Sequence, residues 1–304
     1  WMSRRQPNGQ WGTPERLPEP INNALNNAVL SVSPDGNTLL LLNTYRADGT
    51  MGNGISITTR KDGGWSLPAD VVIQDYHNRS PYGEYCLHSS GNILVMTVHR
   101  DDTRGDKDLY VSFRQEDGTW SRPLNMGPNV NTNLAEATPF LAPDGRTLYF
   151  ASKGHPGYGN QDMFVSRRTG ESWTEWTTPL NLGPNINSPR FDAYFTIPAS
   201  GRHAYYSSAS ASGNPDIFRI ELPPSLRPQP VCILRGRVLN RNTSQPIGGR
   251  VSYYDFATGA ELGQAQSDPT TGAYQIVLPL RAQYGLRAES EGFISVHEQV
   301  NLDS

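Results

Sequence analysis

The sequence predicts an all-β protein, a β-propeller followed by a small β-sandwich, and three observations predict it. A Trp-x-x-Pro pattern recurs in steps of 54, 55 and 56 residues, beginning at Trp11, Trp65, Trp120 and Trp176. A turn glycine keeps nearly the same period, at Gly36, Gly91, Gly145 and Gly201. The chain's 29 glycines and 24 prolines separate short apolar runs, as turns separate strands. Self-similarity at this period indicates one supersecondary unit stacked on copies of itself.

Each unit is predicted to hold four antiparallel strands. The first and second strands flank the turn glycine, because a turn that ends in Gly between two β-rich runs is typical of a hairpin. First strands are predicted at residues 29–34, 86–89, 140–143 and 194–198, second strands at 38–42, 93–98, 147–151 and 203–207, and third strands at 55–59, 109–113, 163–167 and 217–220. The fourth strand runs through Trp-x-x-Pro. Four such strands per unit are typical of a propeller blade, whereas the coils of a parallel β-helix are much shorter.

The blade count is predicted as five with one blade incomplete, or four. The last unit ends at Ile220 without a fourth strand, and the opening residues 1–5 match residues 164–168 of the third unit. A third and a fourth strand therefore precede the first full unit. Residues 11–17 either close the last unit to give four blades, or belong to a fifth blade with its other strands upstream. Any targeting signal is also expected upstream of Trp1.

The last quarter of the chain carries no copy of the repeat. We predict a propeller at residues 1–221, a semi-rigid Pro-rich linker at 222–230 and a second domain at 231–304. Strands of the second domain are predicted at residues 233–238, 249–254, 273–278 and 284–289. Short strands at this spacing are typical of a small β-sandwich.

Composition and motifs exclude several classes of function. No Lys/Arg block is longer than a pair and the net charge is −3, so a nucleic-acid partner is not expected. The longest apolar run, near residues 38–42, is far shorter than the ~20 residues of a membrane helix. Gly-x-Ser-x-Gly, zinc-site and EF-hand patterns are all missing, so no catalytic residue, metal or cofactor is predicted. Cys86 and Cys232 are expected to be two inert, buried thiols, with one bridge between them as the alternative.

An aspartate precedes the third strand in three of the four units. It stands at Asp108, Asp162 and Asp216, with Gly54 in the first unit. A side chain that recurs in every blade is better explained as a turn acceptor of backbone N–H groups than as a catalytic or metal-binding group. The tryptophans are likewise expected to wedge between blades.

One face of the predicted propeller is the candidate binding surface. In a four-stranded meander, the loops between second and third strands emerge beside the connections between blades, and rigid scaffolds carry function on such loops. The predicted partner-binding residues are Arg100, Asp101, Arg104, Asn131, His155, Tyr158 and Asn187. Nine residues before each turn glycine, at the predicted channel mouth, stand Asn27, Tyr82, Glu136 and Asp192. The alternative is that the Asn, Gly and Pro content of these loops only shapes turns.

Several motifs carry a resemblance to known families. The turns of Ser-Pro-Asp-Gly type followed by Leu39-Leu40 or Leu148-Tyr149-Phe150 resemble the TolB-type propeller repeat. The run Leu-Asn-Met-Gly-Pro-Asn-Val-Asn at residues 124–131, its copy at 180–187 and the His-Pro-Gly-Tyr-Gly loop at 155–159 resemble OmpA-family cell-envelope proteins of Bacteroidota. The second unit departs from this pattern at residues 70–76 and 89–91.

The second domain carries a resemblance of its own. Gly236-Arg237-Val238, Pro246-Ile247, the run from Ser267 to Tyr274 and Glu291-Gly292-Phe293 resemble the carboxypeptidase regulatory-like, transthyretin-like domain. Domains of that family are usually spacers or adhesive modules without catalytic activity.

The resemblance implies a function that composition alone does not. It implies a non-enzymatic scaffold in the periplasm, associated with the outer membrane, whose partners are envelope proteins such as type IX secretion or gliding components. Peptidoglycan would bind only through a domain outside this chain, and further repeats upstream in relatives favour five blades. The alternative is a glycan-binding or glycan-cleaving propeller. A pocket with converging acids and a stacking aromatic side chain would favour that alternative, and a broad, shallow loop surface would favour the scaffold.

Overall fold

The computed structural model describes residues 1–61, 63–209, 214–280 and 283–302. The chain is all-β, as predicted. Its described residues contain no α-helix, and one short 3-10 helix spans Pro224–Leu226. Within the same ranges, no helix is long and apolar enough to cross a membrane.

Four consecutive antiparallel sheets form the first part of the chain. The first sheet consists of β1 (Val29–Val32), β2 (Thr38–Tyr45), β3 (Met51–Lys61), β4 (Gly64–Trp65) and β5 (Ala69–Asp70), and the second of β6 (Glu84–Leu87), β7 (Ile93–Val98), β8 (Asp108–Phe113) and β9 (Leu124–Asn125). The third sheet consists of β10 (Glu136–Leu141), β11 (Thr147–Ser152), β12 (Asp162–Arg167) and β13 (Leu180–Asn181). The fourth consists of β14 (Asp192–Thr196), β15 (His203–Ala209) and β16 (Pro215–Glu221). The second, third and fourth sheets follow chain order and are meanders, whereas in the first sheet β4 and β5 both pair with β3.

The sheets lie side by side through their first strands. β1 contacts β6, β6 contacts β10, and β10 contacts β14. Apolar clusters fill the space between sheets; between the second and third, Val111 packs with Phe150 and Trp176. Trp120 and Trp176 are 2% exposed, as expected for wedges between sheets, whereas Trp11 is 59% exposed. Burial of these apolar faces supplies the main stabilisation of the stack.

The N-terminal segment folds back on itself through two isolated antiparallel β-bridges. Met2 bridges Glu15 and Arg5 bridges Trp11, the same register in which Val165 pairs with Leu180 and Arg168 with Trp176. Residues 1–16 therefore pair in the register predicted for a third and a fourth strand, although they form isolated bridges and not continuous strands. In the described residues, β16 is hydrogen-bonded to β15 alone, so residues 11–17 do not close the last unit and the ring of sheets is open.

Three first strands begin earlier than predicted. β6 begins at Glu84 rather than at residue 86, β10 at Glu136 rather than at 140, and β14 at Asp192 rather than at 194. β10 and β14 each contain a bulge whose extra residue allows a positive φ, 44° at Thr138 and 57° at Tyr194. Positive φ is rare for Thr and Tyr, so the sequence gives no sign of these bulges.

The second part of the chain has two sheets around one apolar cluster. β17 (Val231–Arg237) pairs with β20 (Ala273–Pro279), and the other sheet has the order β19 (Glu261–Gln266), β18 (Arg250–Asp255), β21 (Gln283–Glu289), β22 (Val296–Asn301). Val251, Ile276 and Leu286 pack in the cluster. Four of these strands match the predicted ones. β19 and β22 were not predicted, because their polar composition masks the alternation expected of a strand.

The second part docks on the turns that carry the repeated glycines. The Asn37 side chain donates to the carbonyl oxygens of Gln266 (2.9 Å) and Ala273 (3.2 Å). The Gln264 N–H donates to the carbonyl of Ser90 at 2.8 Å. The face of the sheets opposite the long loops is therefore in contact with the second part of the chain. Cys86 and Cys232 are both free thiols, as expected, but only Cys86 is buried and Cys232 is half-buried.

Candidate functional site

The candidate site is the loop face, which we define as the loops between second and third strands together with the connections between units. Its framework is a repeated set of hydrogen bonds around the periodic aspartates. The carboxylate of Asp108 accepts from the backbone N–H of Arg104 (3.0 Å) and from the amide of Asn125 (2.8 Å). In the next unit, Asp162 accepts from the N–H of Tyr158. The prediction of a turn acceptor is therefore confirmed for Asp108 and Asp162.

Asn131 and Asn187 repeat a second part of this framework. Asn131 accepts from the N–H of Leu109 (2.7 Å) and donates to its carbonyl (3.0 Å), and Asn187 makes the same two bonds with Met163 (2.7 and 2.9 Å). Their exposed fractions are 1% and 4%. Because both amides are buried and used by their own loops, these two residues do not contribute side chains to an exposed binding surface.

Glu136 and Asp192 lie at the start of β10 and β14 with fully buried carboxylates. Glu136 accepts from the N–H of Thr132 (3.1 Å) and from the hydroxyls of Thr132 (2.8 Å) and Ser152 (2.9 Å). Asp192 accepts from the equivalent groups of Ser188 and Ser208. Burial raises the pKa of Glu136 to about 7. Both carboxylates therefore fix the connection that precedes their strand.

The other two predicted channel-mouth residues, Tyr82 and Asn27, are not fully buried like Glu136 and Asp192. Tyr82 is 73% exposed and precedes β6 by two residues, and Asn27 is half-buried and donates to the carbonyl of Leu25 at 2.6 Å. The pairing of β6 with β7 has no register shift, unlike the first strands of the third and fourth sheets. Counting back from the turn glycine therefore selects a position one residue off in the second unit.

Sequence reasoning missed an ion pair at the start of β6, between Glu84 and Lys107. The Nζ of Lys107 lies 3.0 and 2.8 Å from the two carboxylate oxygens of Glu84, and Glu84 also accepts from the hydroxyl of Thr97. The side chains are 12% and 24% exposed. Lys107 directly precedes the periodic Asp108, but no local pattern pairs it with a strand 23 residues earlier.

The loop at residues 100–107 combines a buried arginine with exposed charges. The Arg100 side chain is 1% exposed and donates to the carbonyl of Asp75 at 2.8 Å, so it ties this loop to the preceding connection. Asp101 and Arg104 are exposed. Asp101 pairs with Arg79 and lies 3.6 Å from His77. Of the three predicted residues, Asp101 and Arg104 are thus available to a partner.

The loop at residues 153–161 wraps tightly around Asp162. A Cβ at Gly157 would lie 1.5 Å from the Oδ2 of Asp162, so only glycine fits there. His155 is half-buried, with Nε2 positioned 3.2 Å from the carbonyl of Val130, and burial lowers its pKa. Tyr158 is 54% exposed. Of the predicted pair, Tyr158 is the side chain that faces outward.

The loop face thus presents exposed charges of both signs and an exposed tyrosine on a hydrogen-bonded framework. No group of three or more His, Cys, Asp or Glu side chains with metal-site geometry occurs among the described residues. A cavity of roughly 500 Å³ lies between the sheets and the second part of the chain and is lined by His88, Asp144, Arg146, Tyr253 and Tyr284. Another of roughly 500 Å³ lies at the connection before β1 and is lined by residues 16–19 and 22–24.

Comparisons with known proteins give only weak likenesses. No protein-family model matches the chain, and no curated protein matches it. The solved structure of Bacteroides ovatus xyloglucan PUL GH43B is 12% identical with a TM-score of 0.36, over 88% of this chain and 76% of that one. Prolyl oligopeptidase B from Galerina marginata is 15% identical with a TM-score of 0.34, over 88% of this chain and 37% of that one.

A third structure, α-L-arabinofuranosidase from Lactobacillus brevis, is 10% identical with a TM-score of 0.32, over 57% of this chain and 62% of that one. The chain thus spans less than two thirds of this enzyme and of the oligopeptidase. Likenesses at this level assign neither a family nor an activity.

Proposed function

We propose that this chain is a non-enzymatic interaction module: a five-bladed β-propeller with one blade incomplete, joined to a carboxypeptidase regulatory-like β-sandwich. The observation that carries the proposal is that some loop-face side chains are buried and bonded within the loops while others are exposed. Glu136 and Asp192 are fully buried and bonded to their own loops, whereas Asp101, Arg104 and Tyr158 are exposed. A fixed framework with mixed exposed charge and an aromatic side chain suits recognition of a protein surface.

The arrangement of the two parts supports the same function. The second part of the chain contacts the turns on the opposite face, so it does not cover the loop face. Loops that are held by internal hydrogen bonds lose little conformational entropy when a partner binds. The loop face is therefore both accessible and pre-organised.

The cellular setting is proposed from motifs rather than from geometry. The Leu-Asn-x-Gly-Pro-Asn-x-Asn runs at residues 124–131 and 180–187 support a periplasmic, outer-membrane-associated protein of the OmpA family. The partners proposed on this basis are envelope proteins, type IX secretion components among them. Contact with peptidoglycan is assigned to a domain outside this chain.

A glycan-cleaving propeller is the second candidate, and one observation favours it. A carboxyl group with a pKa of about 7, such as that of Glu136, has the acidity of a general acid. Its full burial opposes this role, because a general acid must reach the glycosidic oxygen. Loss of activity on a glycan panel in Glu136→Gln or Asp192→Asn would establish this second candidate.

The test of the scaffold is cross-linking and pull-down from native envelope, with the intact chain as bait and mass spectrometry as readout. The variant carries Asp101→Ala, Arg104→Ala and Tyr158→Ala on the loop face. A matched control carries Arg241→Ala, Glu291→Ala and Phe256→Ala at exposed positions of the second part. We expect specific protein partners with wild type and control that are lost with the variant. The same partners in all three samples, or glycan as the sole bound material, would contradict the proposal.

A further inference from the structure

A smaller cavity, of roughly 270 Å³, lies between the first two sheets and the second part of the chain. Ile57, Val71 and Leu87 contribute apolar wall, and the side chains of Arg114 and Arg250 also line the cavity. Because the turn at residues 88–91 forms part of the wall, the cavity lies away from the loop face. Apolar walls with a few polar groups are typical of sites for small organic ligands.

Arg114 is a repeated residue that the second unit uses differently. Arg60 and Arg168 have the same place in the first and third units, and their guanidinium groups lie over the rings of Trp65 (4.2 Å) and Trp173 (4.3 Å). Among the described residues, the Arg114 guanidinium has no hydrogen bond, ion pair or ring contact of this kind. Its five N–H donors are therefore unused by the protein.

The other charged side chains on the wall already have partners. The carboxylate of Asp70 lies 2.8 Å from the guanidinium of Arg46, and Arg250 lies 2.9 Å from the carboxylate of Glu289. The charge of Arg114 is therefore the one on this wall that no ion pair of the described residues compensates.

The surroundings of Arg114 disfavour its positive charge. The residue keeps an exposed surface, but desolvation and then the nearby charge of Arg250 lower its pKa. Glu261 acts in the opposite direction and is the smallest of the three influences. A bound anion would reduce the repulsion between the two arginines.

A buried N–H group on the same wall also lacks a partner. Trp120 is 2% exposed, and its indole N–H makes no hydrogen bond within the described part of the chain. The equivalent Trp176 is equally buried and donates its indole N–H to the carbonyl of Trp173 at 2.8 Å. A buried donor without an acceptor is unfavourable, so both the indole of Trp120 and the guanidinium of Arg114 require an acceptor.

We propose that this cavity binds a monocarboxylate with a small apolar body. The carboxylate accepts hydrogen bonds from the guanidinium of Arg114 and from the indole N–H of Trp120, and the apolar body contacts Ile57, Val71 and Leu87. The planar fork of an arginine matches the two oxygens of a carboxylate. One uncompensated positive charge suits a monoanion better than a phosphate dianion. This site is independent of the function proposed for the loop face.

Isothermal titration calorimetry of the intact chain with octanoate tests the class of ligand. 1-Octanol has the same apolar chain without the charge, acetate has the charge without the chain, and inorganic phosphate is the alternative anion. We expect saturable 1:1 binding of octanoate. The affinity for each of the other three compounds should be weaker by at least about tenfold, because each lacks one of the two interactions.

Two variants with matched controls test the residues. Arg114→Gln removes the cation, and Arg60→Gln does the same at the equivalent place outside the cavity. Trp120→Phe keeps an aromatic ring without the donor, and Trp176→Phe is its control. We expect the affinity for octanoate to fall more than about tenfold in Arg114→Gln and about fivefold in Trp120→Phe, with changes within about twofold in the controls.

Circular dichroism verifies that each variant is folded, and the comparison of ligands on the wild type needs no variant. The absence of saturable octanoate binding, or equal affinities in Arg114→Gln and Arg60→Gln, would overturn the proposal. Equal affinities for octanol and octanoate would also overturn it, because the cavity would then be an apolar site alone. Tighter binding of phosphate than of octanoate would replace it with a site for an inorganic anion.

Discussion

At the scale of single residues, the loop face is held by buried polar groups whose partners lie within the same or the adjacent unit. Glu136 is the extreme case, because a fully buried carboxylate accepts hydrogen bonds from Thr132 and Ser152. Desolvation disfavours its charged form more than these donors stabilise it, so its pKa rises from 4.5 to about 7. Its ionisation is therefore coupled to folding.

Glu136 should make stability fall as the pH rises. Its folded pKa lies above its unfolded pKa, so the folded state keeps a proton that the unfolded state releases between pH 4.5 and 7. We expect wild type and Glu136→Gln to be similarly stable near pH 4.5, and wild type to be less stable by up to about 3 kcal/mol near pH 8. Urea unfolding at both pH values measures this. The exposed Glu116→Gln is the control, and a difference between wild type and Glu136→Gln that does not change with pH would contradict the coupling.

The roles of residues could be predicted where one side chain recurs at the period of the unit. Asp108 and Asp162 were correctly predicted as turn acceptors, because a residue repeated in every unit serves the unit. The pair formed by Glu84 and Lys107 could not be predicted, because it depends on where two strands meet in space. The burial of Asn131 could not be predicted either, since Asn in a Gly-Pro loop is equally typical of an exposed turn.

At the scale of elements, neighbouring units interlock through glycines in their loops. A Cβ at Gly105 would lie 2.5 Å from backbone atoms of residues 133–134, and a Cβ at Gly159 would lie 2.4 Å from the carbonyl oxygen of Ser188. The two glycines stand 54 residues apart and face the connection to the next unit in the same way. Close backbone approach is thus a repeated feature of the loop face.

Substitution of either glycine should separate two loops. Gly159→Ala and Gly105→Ala each force backbone atoms to move, and we expect a loss of about 1–3 kcal/mol in the free energy of unfolding, as for other overpacked sites. Gly64→Ala in β4 is the matched control, because a Cβ there meets open space. Urea unfolding compares the three variants. If all three lose the same stability, the close approach of the loops is not what requires glycine.

Element prediction succeeded for hairpins and failed where strands depart from regular geometry. The four first-to-second strand pairs follow from the glycine turns, whose φ values lie between 65° and 74°. The bulges at Thr138 and Tyr194 carry no such mark, because neither residue type favours positive φ. The first strands of the second, third and fourth sheets were predicted to begin too late. Because the bulges were not foreseen, the channel-mouth residues were aligned one position off in the second unit, where the first strand has no bulge.

At the scale of the whole molecule, the two parts of the chain are joined by hydrogen bonds as well as by the Pro-rich segment. Asn37 is 5% exposed and reaches two carbonyl groups of the second part, and Gln264 returns a backbone bond to Ser90. The Pro-rich segment also packs on the sheets, since Leu222 is fully buried and the hydroxyl of Tyr149 donates to the carbonyl of Leu226. The prolines of residues 222–230 predict a linker, but the sequence does not predict this docking, which depends on side chains far apart in the chain.

Loss of the Asn37 side chain should loosen the docking without unfolding either part. Asn37→Ala leaves the carbonyl groups of Gln266 and Ala273 without this donor, a cost on the order of 1–2 kcal/mol. We expect hydrogen exchange at the Gln264 amide to rise about tenfold, because opening of the interface exposes it, while amides within β7 and β11 keep their protection. Asn133→Ala, at an exposed position of the loop face, is the control and should leave Gln264 unchanged. Equal exchange at Gln264 in both variants would mean that other contacts hold the two parts together.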